Sequence, residues 1–226
     1  MGIRKIDFTQ EEYYHVYNRG VDKREVFLDR EDILFFYKRL IDLNKINQTQ
    51  YDRIKRKRVG ISSNNSNKLV DIIAFCLLPN HFHIILKPNK DDAVSKIMQK
   101  LGTSYTNYFN KKYKRSGSLF QGKFKAKHIQ GELALPTLVT YVNLNYKHHS
   151  LEKDNNLVKS SLDEYLKKSH KKEQGGLAYN ICETNEVIDQ VGGPDKFIQF
   201  MKNTESVFMS NKGIDLNSIH WNEFEY

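Results

Sequence analysis

Three groups of residues in this sequence have the types and spacing to do chemistry. The first is His81-Phe82-His83. On an extended strand alternate side chains share a face, so both imidazoles point one way while Phe82 and Ile84 point the other. Two neighbouring imidazoles can ligate one divalent metal ion, although two ordinary histidines at a strand edge would show the same H-x-H pattern. The second group surrounds Tyr141. At about 100° per residue on a helix, Tyr141, Asn145 and His148 fall on one stripe, with Leu138, Val139 and Val142 on its neighbour. Tyr141 then lies at the border of a buried face. It either looks out of the core at whatever the helix covers, or it is a core aromatic with a satisfied hydroxyl. The third group is the acid-free stretch KKYKRSGSLFQGKFKAK. It carries Lys111, Lys112, Lys114, Arg115, Lys123, Lys125 and Lys127, with Tyr113, Phe120 and Phe124 interleaved. Cations grip phosphates and aromatic rings stack on unpaired bases, a mixture suited to single-stranded nucleic acid.

These groups need rigid elements to hold them. Alternation over Tyr13 to Arg19 predicts a first strand, and the apolar run from Leu69 to Leu78 a buried one. Pro79-Asn80 reads as a turn, from which His81 to Lys87 returns as a strand ended by Pro88. Helical spacing is present over Arg30 to Leu43, Ala93 to Asn110 and Leu135 to His148, the last with Pro136 in its first turn. A further strand is expected within Leu119 to Ile129. The order β-α-β-β-α-β-α makes the expected class α+β. Its first six elements read as a ferredoxin-like split βαβ plait with an antiparallel sheet, followed by the helix that carries Tyr141. Residues 1–150 are read as this domain. Residues 151–226 are more polar and read as a mainly helical extension, with short helices over Leu162 to Ser169, Asn185 to Val191 and Pro194 to Lys202.

Composition narrows the partner. The chain has 226 residues, 36 Lys and Arg against 27 Asp and Glu, and a net charge of +9. With a pI near 9.3 and a mean hydropathy of −0.65, it points to a polyanion more than to a membrane. The longest apolar run, Ile72 to Leu78, is far too short to span a bilayer. Two cysteines make a disulfide framework improbable, and no charged-then-apolar leader is visible, so the expected setting is a reducing bacterial cytosol at the nucleoid. The cluster Arg53-Ile54-Lys55-Arg56-Lys57-Arg58, followed by a polar Ser-Asn run, reads equally as a solvated loop.

The sequence lacks H-x-H-x-D-H, H-E-x-x-H, a Walker A motif, G-x-S-x-G and a Gly-rich dinucleotide loop. What it does contain resembles a family. Leu78-Pro79-Asn80-His81-Phe82-His83-Ile84-Ile85 is similar to the signature of the HUH single-tyrosine transposases. Tyr14-His15-Val16-Tyr17-Asn18-Arg19-Gly20, Ser118 to Lys125, and Tyr141-Val142-Asn143-Leu144-Asn145 resemble three further motifs of the REP-associated tyrosine transposase branch. Four motifs stand in the right order over roughly Tyr13 to His149.

The resemblance implies cleavage and rejoining of single-stranded DNA, often beside a hairpin. His81 and His83 would bind a divalent ion, Mg²⁺ or Mn²⁺. Tyr141 would be the nucleophile, becoming joined to a DNA 5′-phosphate. Asn145 would stand where a third ligand is often found, with His148 and His149 as rivals. A mixed nitrogen and amide-oxygen set would also accept Zn²⁺. Tyr146 departs from the branch, where Pro usually follows the Asn, and it is a rival nucleophile. The basic-aromatic stretch would bind the strand, and Arg53 to Arg58 a hairpin stem. Monomer and homodimer are equally open. Two other functions fit the same residues. One is a non-catalytic DNA- or RNA-binding protein on this fold, and the other a metal-dependent phosphodiesterase that uses activated water.

Overall fold

The computed structural model describes residues 6–45, 68–131, 133–152, 155–166 and 180–210. Four strands form the expected plait: β1 (Tyr14–Arg19), β2 (Val70–Leu78), β3 (His81–Pro88) and β4 (Lys125–His128). A short β5 (Lys159–Ser160) joins the far edge, and the sheet order is β4-β1-β3-β2-β5 with every strand pair antiparallel. The central place of β1 and β3 decides the site. Their register sets Tyr17 opposite His83 and Arg19 opposite His81.

Each sheet face has its own core. Helices α1 (Arg30–Leu43) and α2 (Ala93–Lys112) cover one face, where Val16, Phe75, Phe82 and Ile84 meet Phe36 and Leu101. Helix α3 (Ala134–His148) covers the other, over Ile73, Cys76 and Ile85. Its apolar spacing would leave one side bare, yet every residue from Leu135 to Tyr146 except Thr137 is buried. The reason lies in the chain beyond it. A short helix α4 (Leu162–Tyr165), α5 (Asn185–Gln190) and α6 (Pro194–Ser210) supply Tyr165, Val187, Phe197 and Phe208 to this second core. The predicted starts of these three helices agree with the structure, while α6 runs on well past Lys202 because Phe208 still has a core to enter.

Polar links fix the layers. Ser161 Oγ donates to Asn143 Oδ1 at 2.6 Å and accepts from Phe75 N at 3.0 Å, tying α3 to β2 inside the core. Asn44 pairs with both backbone groups of Val70 at 2.9 Å, fastening the end of α1 to the start of β2. Lys45 and Lys68 form an isolated antiparallel bridge that holds the end of α1 beside the approach to β2. The Arg53 to Arg58 cluster lies outside the described residues.

The β2–β3 turn is held as firmly as the strands. Pro79 C=O accepts from Val26 N at 2.7 Å and from Phe27 N at 3.0 Å, and Asn80 C=O accepts from Gly20 N at 2.9 Å. Gly20 permits this closeness, because a Cβ there would stand 2.2 Å from Arg24 C=O and 2.8 Å from Val26 Cγ1. Both cysteines are free thiols; burial pushes that of Cys76 up to about 12. No helix among the described residues is long and apolar enough to cross a membrane.

Candidate active site

His81, His83 and Tyr141 meet at one cavity of about 250 Å³, although the second histidine and the tyrosine are 58 positions apart in the chain. The histidines come from the start of β3, and Tyr141 from the face of α3 that lies over that end of the sheet. The Tyr141 ring stands edge-to-face on His83 with centroids 6.1 Å apart. Arg19, Gln121, Lys125 and His149 complete the polar wall. Among the described residues no carboxylate lines it, so its charge suits a phosphodiester.

Hydrogen bonds set the histidine nitrogens. His81 Nδ1 lies 2.5 Å from Asn80 Oδ1. A carboxamide oxygen only accepts, so Nδ1 carries the proton and Nε2 keeps a lone pair. His83 Nδ1 lies 2.9 Å from Nε2 of the wholly buried His15, so one proton is shared between them. With that proton on His83, its Nε2 is likewise the lone-pair nitrogen. The His15 and His83 rings lie nearly parallel, 8° apart, and Tyr17 stacks beside both. Ring orientation is thus fixed from behind, as at metal-binding histidines generally.

Electrostatics keep these rings neutral. Burial, reinforced by His83, His149 and Arg19, pushes His81 down to about 2. Burial and then Lys127 take His15 to about 3, and burial with His15, His149 and Arg19 holds His83 well below its ordinary value. Neutral imidazole is the form that ligates a cation.

The third-ligand candidates separate clearly. Asn145 is fully buried one turn beyond Tyr141 and lies against His81. Neither its Oδ1 nor its Nδ2 completes a hydrogen bond of ordinary geometry. His149 touches His81, ring centroids 4.7 Å apart, and lines the cavity. His148 turns instead to Tyr141 and Phe208, at 5.3 and 5.8 Å. Tyr146, the rival nucleophile, is buried in the second core and does not line the cavity. Among the described residues no trio of His, Cys, Asp or Glu is gathered to hold a metal. Two histidines with an unsatisfied buried carboxamide beside them nonetheless fit a divalent cation.

The basic-aromatic stretch is divided by the fold. In β4, Lys125 stands opposite Tyr17 and Lys127 opposite His15, on the cavity side of the sheet. Lys123 and Phe124 line a groove on the other side. Phe120 is buried in the first core against Phe82, 5.7 Å away. Arg115 is drawn inward, donating to Asn110 Oδ1 at 2.7 Å and Ser118 C=O at 3.0 Å. Lys111 and Lys114 are exposed at the end of α2 and in the turn after it.

Lys112 departs from its expected role of gripping phosphate. Its ammonium group contacts Asp29 and Glu31 at 2.8 Å and Asp32 at 2.9 Å, and it donates to the Tyr108 hydroxyl at 3.1 Å. Burial disfavours its charge, but these partners raise its pKa above the ordinary lysine value. Its charge is already countered inside the fold. The sequence reading also passed over His15, Tyr17, Arg19 and Gln121 as site residues. Strand parity could have found three of them, since residues 15, 17 and 19 share one face of β1.

Residues 44–145 match the family model described as Transposase IS200 like. The matched segment holds both histidines, the basic-aromatic stretch, Tyr141 and Asn145. This segment of the chain is similar to the IS200-like transposases. A solved structure of a REP-associated tyrosine transposase bound to a REP hairpin is similar over 83% of this chain and 93% of its own, with a TM-score of 0.51. At 18% identity that likeness is one of fold. The Acanthamoeba polyphaga mimivirus protein "Uncharacterized putative helicase R8" is 30% identical over 170 residues. The match covers 69% of this chain and 15% of that protein, so the transposase-like chain spans a small part of its relative's length.

Proposed function

We propose that this IS200-like transposase domain cleaves and rejoins single-stranded DNA beside a hairpin through a covalent 5′-phosphotyrosine at Tyr141. The observation that carries the reading is the meeting of Tyr141 with His81 and His83 in one cavity that Arg19 and Lys125 make cationic. The fold shared with a hairpin-bound transposase supports the choice of substrate.

The chemistry follows from the groups present. The scissile phosphate enters the cavity, where Arg19 and Lys125 offset its charge. The Tyr141 oxygen attacks phosphorus, the bond to the 3′-oxygen breaks, and the phenol proton ends on the released 3′-hydroxyl. The phosphotyrosine keeps the energy of the phosphodiester, so a 3′-hydroxyl can reverse the step and join strands. His81 and His83, with Asn145 beside them, would hold a divalent ion such as Mg²⁺ or Mn²⁺. When bound it would polarise the phosphoryl group and stabilise the leaving oxygen, an effect of several kcal/mol. His15 and Asn80 keep the two imidazoles oriented and their Nε2 atoms unprotonated.

The test is covalent trapping. The protein is incubated with 3′-labelled hairpin DNA from the flanks of its own gene and Mn²⁺, then run on a denaturing gel beside Tyr141→Phe. A labelled protein band that needs metal and vanishes in the variant is expected. Cleavage that persists unchanged in Tyr141→Phe would assign the reaction to activated water.

A further inference from the structure

The second cavity, about 850 Å³, opens on the opposite face of the sheet between α2 and the Ser118–Phe124 loop. It adjoins the candidate active site, since Asn18 and Phe82 line both. The loop that walls it is locked to the end of β1. Asn18 Nδ2 donates to Gly122 C=O at 3.1 Å, and Gln121 N donates to Arg19 C=O at 2.9 Å. Gln121 therefore faces the histidine cavity while Lys123 and Phe124, two and three residues later, face the groove.

The lining has a definite chemistry. The half-buried Phe124 lines it, and the buried Phe82 borders it. Across from them a stripe on α2, Gln99, Thr103 and Asn107, presents amide and hydroxyl groups at four-residue spacing. Among the described residues that line it, Lys123 is the charged one. Gly102 stands in the middle of this helix wall, where glycine costs about 1 kcal/mol against alanine. The protein's own packing does not ask for it, because a Cβ there would meet no atom within 4 Å. Gly102 thus leaves this wall open to a flat group.

We propose that this groove holds an unpaired nucleobase of the same DNA strand whose phosphate occupies the histidine cavity. The base lies against Phe124, its edge meets the α2 amides and hydroxyls, and Lys123 contacts the connecting phosphate. This rests on the single-strand reading above. It adds a second grip, on a base, to the grip on the scissile phosphate.

The test measures binding apart from cleavage, in a Tyr141→Phe background. The probe is a 20-nucleotide oligothymidylate with one central 5-iodouracil. Gly102→Leu fills the groove without touching the core, and an unchanged melting temperature shows that the fold is kept. Gly102→Leu is expected to weaken binding about tenfold or more, the worth of one stacked base. Phe124→Ala should do the same, and the photocrosslink should map to 118–124 or to α2. Lys125→Gln serves as the phosphate-side control. Full affinity in Gly102→Leu and Phe124→Ala, with weakening in Lys125→Gln, would overturn the base site and leave the single-strand reading standing. Failure of the parent protein to bind the oligonucleotide at all would overturn both.

Discussion

Lys112→Gln separates a structural lysine from a DNA contact. Lys112 has three carboxylate partners, and they are not equal. The side chains of Asp29 and Glu31 are 47% and 74% exposed, so each pairing contributes on the order of 0–1 kcal/mol. Asp32 is wholly buried, and stripping a buried carboxylate of its partner costs roughly 3–5 kcal/mol. Here part of its hydrogen bonding survives. Leu28 N and the Tyr113 hydroxyl donate to it at 2.8 Å, and the Tyr108 hydroxyl at 3.1 Å. The expected loss is therefore about 2–3 kcal/mol, below the full penalty. Urea unfolding should show a lower midpoint at an unchanged slope, because the surface exposed on unfolding is the same. Oligothymidylate binding, followed against salt, should keep the parent's slope. Lys125→Gln, on the cavity side of β4, should instead lower that slope by about 0.7, the value for one single-strand phosphate. A Lys112→Gln protein of parental stability whose salt slope falls by that amount would refute the assignment and return Lys112 to the DNA.

The remaining predictions concern the site and its frame. Calorimetric titration with Mn²⁺ should show one site per chain that His83→Ala removes; His15→Phe, which deletes the partner of His83 Nδ1, should weaken it about 10–100-fold. Gly20→Ala should cost roughly 1–3 kcal/mol in urea unfolding, since backbone as well as the Val26 side chain must give way. Acid should also destabilise the fold. Burial works against the Asp29 charge, but Lys112, Asp32 N–H and Tyr113 hold its carboxyl below the usual range, and Tyr13 and Lys87 do the same for Glu186. Such depressed groups stabilise above their unfolded pKa, near 4, and the contribution is lost as pH falls through the folded value. Midpoints measured from pH 6 down to pH 3 should fall steadily, and less steeply in Lys112→Gln.

Most of the elements were legible because their causes are local. Alternation placed β1, an unbroken apolar run placed β2, 3.6-residue spacing placed the helices over 30–43, 93–112 and 134–148, and Pro79-Asn80 placed the turn, while the short β5 carried no local signal. The same parity put His81 and His83 on one face, and helical arithmetic put Tyr141 at a border where it meets them. The basic-aromatic stretch was legible as a composition but not as a surface. Which of its residues face DNA depends on what lies opposite each one. Phe120 found a core, Arg115 found Asn110, and Lys112 found carboxylates some 80 residues earlier in the chain.

The sequence alone thus determined the order of elements, the histidine pair, and a cationic protein suited to a polyanion, since each follows from neighbours along the chain. Only the tertiary structure decided which residues serve the pair. The β1–β3 register brought His15 and Arg19 to it, and the seating of α3 chose Asn145 and His149 over His148 as its neighbours. It also showed a basic segment divided between two faces of a sheet. Those outcomes depend on contacts between segments far apart in sequence. No local pattern encodes them, because a contact is made by two surfaces and a pattern describes one.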